Sequence, residues 1–273
     1  VKDFIGKKRF FNLLGKTEKK IAKQNEVSNI DYSLLVKDKF YSSSVLLANS
    51  FPCVQHIAFL HSSLFISPKG VIKPFNAAIP ELSFPIIIKN TIKEYNEGFN
   101  LCDYRDGVYS VNGNTMNQED FCGRFKFGTW VIQPIIQSHE TIRNLNKSAL
   151  NTTRIVTSMY NGKVNYLGGY QALAVGSNST DSWGLGAIYV GFCPNKGVLK
   201  GMGYYHPKIF YADTTQKHPD SNILFEGYKI PYLNEAVELC CKAHSLFPNS
   251  FIIGWDIAIT DNGPYILEGN ERP

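Results

Sequence analysis

The chain has 273 residues, 44% of them hydrophobic, and a formal net charge of +5. That composition belongs to a globular protein with a sizeable core in two or three lobes, and no apolar run approaches the length of a membrane-spanning helix. Residues 1–24 carry eight Lys/Arg against two Asp/Glu, a local +6 that leaves −1 over the remainder, so the basicity does not describe a general nucleic-acid surface. The six cysteines (Cys53, Cys102, Cys122, Cys193, Cys240 and Cys241) show no paired metal spacing. With no signal peptide opening the chain, they read as reduced thiols of a cytoplasmic protein, and the scattered histidines argue against a zinc site.

The opening segment mixes its cations with Phe4, Ile5, Phe10, Phe11, Leu13 and Leu14. A basic amphipathic helix of this kind fits either an anionic membrane surface at the inner face of the membrane or ordinary docking with solvated lysines. Residues 37–47 read as a second helix ending before Phe51-Pro52, residues 56–66 as a buried element, and Pro68-Lys69-Gly70 as a turn. From Phe84 the texture changes to short strands. One runs through Ile86, Ile87 and Ile88 to Lys89, and a hairpin follows about Asp106-Gly107. Asn117 to Arg124 then suits a short helix, and Thr129 to Ile136 a further strand. Together these form a strand lobe of near fifty residues with one helix on it. Taken alone, Lys89 reads as a strand-end lysine reaching solvent.

Beyond the lobe comes a helix or irregular crossing. A strand around Arg154 to Met159 follows, then a turn at Asn161-Gly162 and a second strand from Val164. Arg154, heading an apolar strand, has the usual look of an ion-pair partner. Asp181 to Phe192 reads as a loop leading into a strand, without a P-loop or dinucleotide pattern. Pro231 opens the clearest helix, with Leu233, Ala236, Val237, Cys240, His244 and Phe247 on one stripe. On that stripe Cys240 and His244 belong to the core.

The last two dozen residues alternate as a strand should. Phe251, Ile253, Trp255, Ile257 and Ile259 share one face, and Gly254, Asp256 and Ala258 lie on the other. Asp261-Asn262-Gly263 signals a turn, and a second strand runs from Tyr265 to Gly269. A three-residue loop there pairs Thr260 with Pro264 and sets Asp256 opposite Glu268, with Asn270 on the same face. Opposed carboxylates repel unless a cation lies between them. Two readings stand at this point: a wet surface hairpin, or a site for a hard divalent ion such as magnesium.

Residues 254–273, GWDIAITDNGPYILEGNERP, are similar to the closing motif of the ATP-grasp enzymes, in particular their sugar-transfer-associated branch. The stretches KDKFY, FPIIIK, WVIQPI, ALNTTRIVT and HPDSN…IPYLNEAVELC agree in order, so the resemblance covers the chain from about Lys37. It implies an α+β fold of two α+β lobes gripping ATP behind a smaller N-terminal helical region. The expected boundaries are 1–80, 81–135 (the small lid lobe) and 136–273 (the large lobe). It further implies that Lys89 contacts the nucleotide phosphates, and that Gln133, Pro134, Ile135 and Ile136 form the adenine hinge. Arg154 would lie near the transferred phosphate or the carboxylate substrate, with Lys89 and Arg154 the catalytic cations. Asp256, Glu268 and Asn270 would bind Mg2+. An earlier ATP lysine is usual in these enzymes, and Lys69 or Lys73 would supply it; His139 and Glu140 would reach the ribose. The loop after Lys89 departs from the family pattern, with Asn90 where a proline is common and only Gly98 in the loop. Relatives also usually continue past Pro273.

The implied activity is that of an ATP-dependent carboxylate–amine ligase working through an acyl phosphate. The preferred form joins an amino acid to a uronic acid of a surface or capsular polysaccharide precursor. Two alternatives remain from the sequence: a kinase-like enzyme phosphorylating a hydroxyl, and a non-catalytic nucleotide- or glycan-binding protein.

Overall fold

A computed structural model describes residues 34–92, 98–205 and 213–271; the basic segment 1–24 lies outside them. Two antiparallel sheets carry the fold, with few helices, in an α+β arrangement. Among the described residues no helix is long and apolar enough to cross a membrane.

Two short helices, α1 (Leu34–Lys37) and α2 (Lys39–Ala48), come first. Asp38 between them caps α2, its carboxylate accepting from the main-chain N–H groups of Phe40 and Tyr41 at 2.9 and 3.1 Å. The first sheet holds β1 (Ala58–His61), β2 (Leu64–Ile66), β3 (Ile72–Pro74), β4 (Ile86–Asn90), β5 (Phe99–Arg105), β6 (Val108–Val111), β7 (Asn114–Met116) and β8 (Thr129–Pro134). Their order is β3-β2-β1-β8-β4-β5-β6-β7. Helices α3 (Phe75–Ala78) and α4 (Gln118–Arg124) cover it through Phe75, Phe121 and Phe125, whose rings sit 5.4–6.3 Å apart over Ile86, Ile88 and Ile132. The small lobe was expected from residue 81; strands β1 to β3 hydrogen-bond into the same sheet, whose first strand in chain order begins at Ala58.

The second sheet has the order β13-β12-β11-β10-β9-β14-β15. It comprises β9 (Thr153–Tyr160), β10 (Lys163–Leu173), β11 (Ile188–Cys193), β12 (Val198–Tyr204), β13 (Thr214–Thr215), β14 (Ile252–Thr260) and β15 (Gly263–Asn270). Helix α5 (Glu140–Leu145) precedes it, and α6 (Leu233–His244) packs on its apolar face through Leu233, Ala236, Cys240 and Ala243. Helix α6 begins at Leu233 rather than Pro231, because Tyr232 takes a left-handed φ of 59° at its N-cap. His244 is fully buried and serves the core. Ser250 O, 2.8 Å from Nε2, can only accept, so the ring proton lies on Nε2 and Nδ1 accepts from the Thr157 hydroxyl at 2.7 Å, while Trp255 Nε1 donates to Thr157 Oγ1 at 2.9 Å.

The chain crosses between the sheets twice. On the first crossing, residues 52–57, Ile266 N donates to Pro52 O at 2.9 Å, Val54 N to Ile266 O at 3.0 Å, and Ile57 N to Ile132 O at 2.8 Å. The second crossing leaves β8 and docks where His139 N donates to Ile259 O at 2.7 Å.

Candidate functional site

Four strands of the second sheet bring one polar row into register. Glu268 on β15 pairs with Asp256 on β14, Asp256 with Arg154 on β9, and Arg154 with Tyr170 on β10. The Asp256–Glu268 pairing agrees with the spacing of the sequence but arises differently. The loop holds two residues, since Thr260 pairs with Gly263, and strict alternation would then set Leu267 opposite Asp256. A bulge between Ile257 and Asp256 absorbs Leu267 and turns Glu268 onto the face of Asp256.

Arg154 holds Asp256 from two sides, with Nε 2.7 Å from Oδ1 and Nη2 donating to Oδ2 at 3.2 Å. Asn270 Nδ2 donates to the same Oδ2 at 3.1 Å and to Gly254 O at 3.3 Å. Burial pushes the Asp256 carboxyl up to about 6 against the pull of Arg154, and Glu268 adds to the rise. Burial also acts to raise Glu268, but Lys39, then Lys89 and Arg154, outweigh it and hold that carboxyl below its usual value. Lys39, at the first position of α2, sets Nζ 3.4 Å from Glu268 Oε2, with only 10% of its side chain exposed. Lys89, half-buried near the end of β4, lies with Nζ 5.6 Å from the centroid of the Phe99 ring. Three cations, one from α2 and one from each sheet, therefore act on two opposed acids.

A divalent cation suits this arrangement. The available donors are oxygens: the two carboxylates, and Asn270 Oδ1, which has no hydrogen-bond partner among the described residues, its Nδ2 making the bonds to Gly254 and Asp256. The rise at Asp256 caused by Glu268 is also the repulsion that such an ion relieves. Among the described residues no group of three His, Cys, Asp or Glu side chains gathers at a metal position, so a third side-chain donor here would have to be the amide of Asn270.

A family model for sugar-transfer associated ATP-grasp matches residues 21–273. The chain belongs to that family. Among curated proteins none matches the chain. It is similar to the carboxyaminoimidazole ribonucleotide synthase of Aspergillus clavatus solved with ATP, at 13% identity and TM-score 0.49, covering 87% of this chain and 45% of that one. The D-alanine–D-alanine ligase of Bacillus anthracis gives 16% identity and TM-score 0.45, with 88% and 58% covered. The L-amino acid ligase of Bacillus licheniformis gives 15% and 0.47, with 92% and 45% covered. This ATP-grasp chain thus spans about half the length of the solved structures it matches.

The remaining site residues expected from the sequence of this ATP-grasp chain fall in two groups. Gln133, at 4% exposure, and Pro134 end β8; Ile135 is exposed and Ile136 half-buried. Among the described residues no hydrogen bond is made by the main chain of residues 135–137, which leaves those groups open to a ligand. Glu140 is exposed in the first turn of α5, and His139 caps that helix by accepting from Thr141 N at 3.1 Å. Lys73 is not brought to the acids. It lies on edge strand β3, 2.5 Å from Glu81, with β2, β1 and β8 between it and the strand of Lys89. Lys69 is exposed in a turn. The lysine that does lie beside the acids is Lys39, which sequence reasoning missed although it follows the capping Asp38 directly.

Tyr170 and Tyr189 were missed as well. Their rings stack at 4.3 Å and 15° beside Arg154, and Asp181 lies close enough to act on both phenols. Asp181 Oδ2 accepts from Thr152 N at 2.5 Å and from Thr152 Oγ1 at 2.7 Å. Asn90 has a use that the common proline lacks: its main-chain N–H donates to Gly98 O at 3.0 Å and closes the base of the loop. Gly98 has a φ of +99°, and a Cβ there would lie 2.8 Å from that of Asn90.

Proposed function

We propose that this site binds ATP with Mg2+ between the two sheets and acts as an ADP-forming carboxylate–amine ligase. The observation that carries the reading is the pair of opposed acids, Asp256 and Glu268, ringed by Arg154, Lys39 and Lys89. Adenine would lie on Ile135 and Ile136 against the open main chain after β8, with Glu140 towards the ribose. Lys39 and Lys89 would meet the phosphates from the side of the first sheet. Asp256, Glu268 and Asn270 would hold Mg2+, which when bound offsets charge on the transferring phosphate. Arg154, fixed by Asp256, would face the γ-phosphate and the incoming carboxylate. An oxygen of that carboxylate attacks phosphorus and ADP leaves. The amine nitrogen then attacks the acyl carbon, the carbon–oxygen bond to phosphate breaks, and the nitrogen loses a proton.

The residues are arranged for positioning and electrostatic stabilisation, and no side-chain nucleophile is needed. We assign the acceptor to the side of Tyr170, Tyr189 and Asp181. Burial pushes both phenols up, so at neutral pH they remain donors, and flat rings edged with hydroxyls suit a sugar. Together with the sugar-transfer association of the family, this favours a uronic acid of a glycan precursor as the carboxylate and an amino acid as the amine. Incubation with ATP, Mg2+, uronic-acid glycosides and an amino-acid panel tests the proposal. ADP release with a hydroxylamine-trappable intermediate and an amide product is expected. A phosphate ester in place of the amide would make the protein a kinase, and ATP binding without turnover would make it a binding protein.

A further inference from the structure

His56 stands on the first crossing between the sheets, 8% exposed, and has no part in the chemistry above. Gln133 Nε2 lies 3.3 Å from its Nδ1. An amide nitrogen only donates, so Nδ1 accepts and the ring proton is on Nε2. That nitrogen lies 2.5 Å from Ser43 Oγ and 3.1 Å from Lys39 O, while Ser43 Oγ itself donates to Lys39 O at 2.7 Å. Burial, aided by the charge of Lys89, outweighs the hydrogen bond to Lys39 O and the charge of Asp38 and lowers the imidazole's pKa, in keeping with the neutral ring that this bonding requires. The main-chain N–H of Lys39 donates to Thr91 O, just past the end of β4, at 2.9 Å. Both main-chain groups of Lys39 are thus tied, one to the strand that carries Lys89 and the other, through His56, to the strand that ends in the hinge.

We propose that His56 is a positioning residue for nucleotide binding. It joins Gln133 at the hinge to the first turn of α2, which keeps Lys39 aimed at Glu268 and couples the adenine end of the site to the phosphate end. The inference rests on the nucleotide reading above. A core histidine with no such role would affect stability alone, and an apolar residue of similar volume would replace it without loss of affinity.

The test measures binding of β,γ-imido-ATP with Mg2+ by calorimetry, well below the melting temperature of each variant. His56→Leu is expected to weaken binding about tenfold, the loss of a hydrogen bond at a positioned group. His56→Gln, able to accept from Gln133 and donate to Ser43, is expected to recover most of it. Lys39→Met should cost less affinity in the His56→Leu background than in the native protein, because there Lys39 is already loose. Ser43→Ala, which removes the shared hydroxyl with little change of volume, should give a smaller loss in the same direction and serves if His56→Leu does not fold. Native affinity in folded His56→Leu, an unchanged Lys39→Met penalty in that background, or native affinity in Ser43→Ala overturns the assignment. Failure of the native protein to bind the analogue overturns the nucleotide reading, and this inference with it.

Discussion

Replacing Lys39 with Met removes a cation from Glu268 while keeping most of the side-chain volume. The two groups lie 3.4 Å apart, with side chains 10% and 21% exposed. At an effective dielectric of about 20 the gross attraction is roughly 5 kcal/mol. Desolvation of both groups offsets much of that, and Lys89 and Arg154 still act on Glu268, so a net loss of about 2 kcal/mol is expected at pH 7. The pH dependence has a definite sign. Glu268 is held below its ordinary value of 4.5 in the fold. Its pairing therefore stabilises above the unfolded-chain value and is lost as the pH falls through the folded value. Urea denaturation of native and Lys39→Met protein, free of divalent ions, should show the full gap at pH 7 and a closing gap below pH 4.5. Adding Mg2+ at pH 7 should raise the variant's midpoint more than the native protein's. Equal midpoints at pH 7, or a gap that widens on acidification, would refute the reasoning.

Three further substitutions probe this row and its support. Arg154→Met leaves Asp256 buried without its partner, at a cost of about 3–5 kcal/mol measured by denaturant midpoint. Adding Asp256→Asn should recover a large part of that stability while activity stays abolished. Gly169→Ala places a Cβ 2.5 Å from Arg154 O and 2.6 Å from Phe192 Cζ. It should destabilise by about 1–3 kcal/mol and, by shifting the strand of Arg154, lower kcat even where the protein remains folded.

Much of this architecture was legible in advance, for reasons that also mark where legibility ends. The alternation from Phe251 to Ile259 is strong because one face of β14 is core and the other is site, so strand, turn and opposed acids could be read directly. The bulge at Leu267 left no trace in composition, and the three-residue loop reached the same pairing by placing the extra residue in the turn. Strands β1 to β3, of four, three and three residues, are too short to show a period, which is why strand texture was legible only from Phe84. Lys39 was passed over for Lys69 and Lys73, because only the docking of α2 against β15 brings it to the acids. Tyr170 and Tyr189 sit on strands whose site-facing side is fixed by pairing with Arg154 and Ala172, information that no local pattern holds.

The Lys39–Glu268 contact also bears on how the protein comes into being. The lysine lies near the start of the described chain and the glutamate near its end, so the two acids reach their cations only after nearly all of these residues have been synthesised. Contacts of such long range are slow to form, and nascent chains order their early parts first. On the ribosome, the first sheet, strung between β1 and β8, would be assembled before β14 and β15 emerge. Until that last hairpin docks, Lys39 and Lys89 are exposed cations on a half-made molecule. Nucleotide bound there earlier would have no Asp256, Glu268 or Asn270 beside it, so the proposed site would stay incomplete until β15 is made.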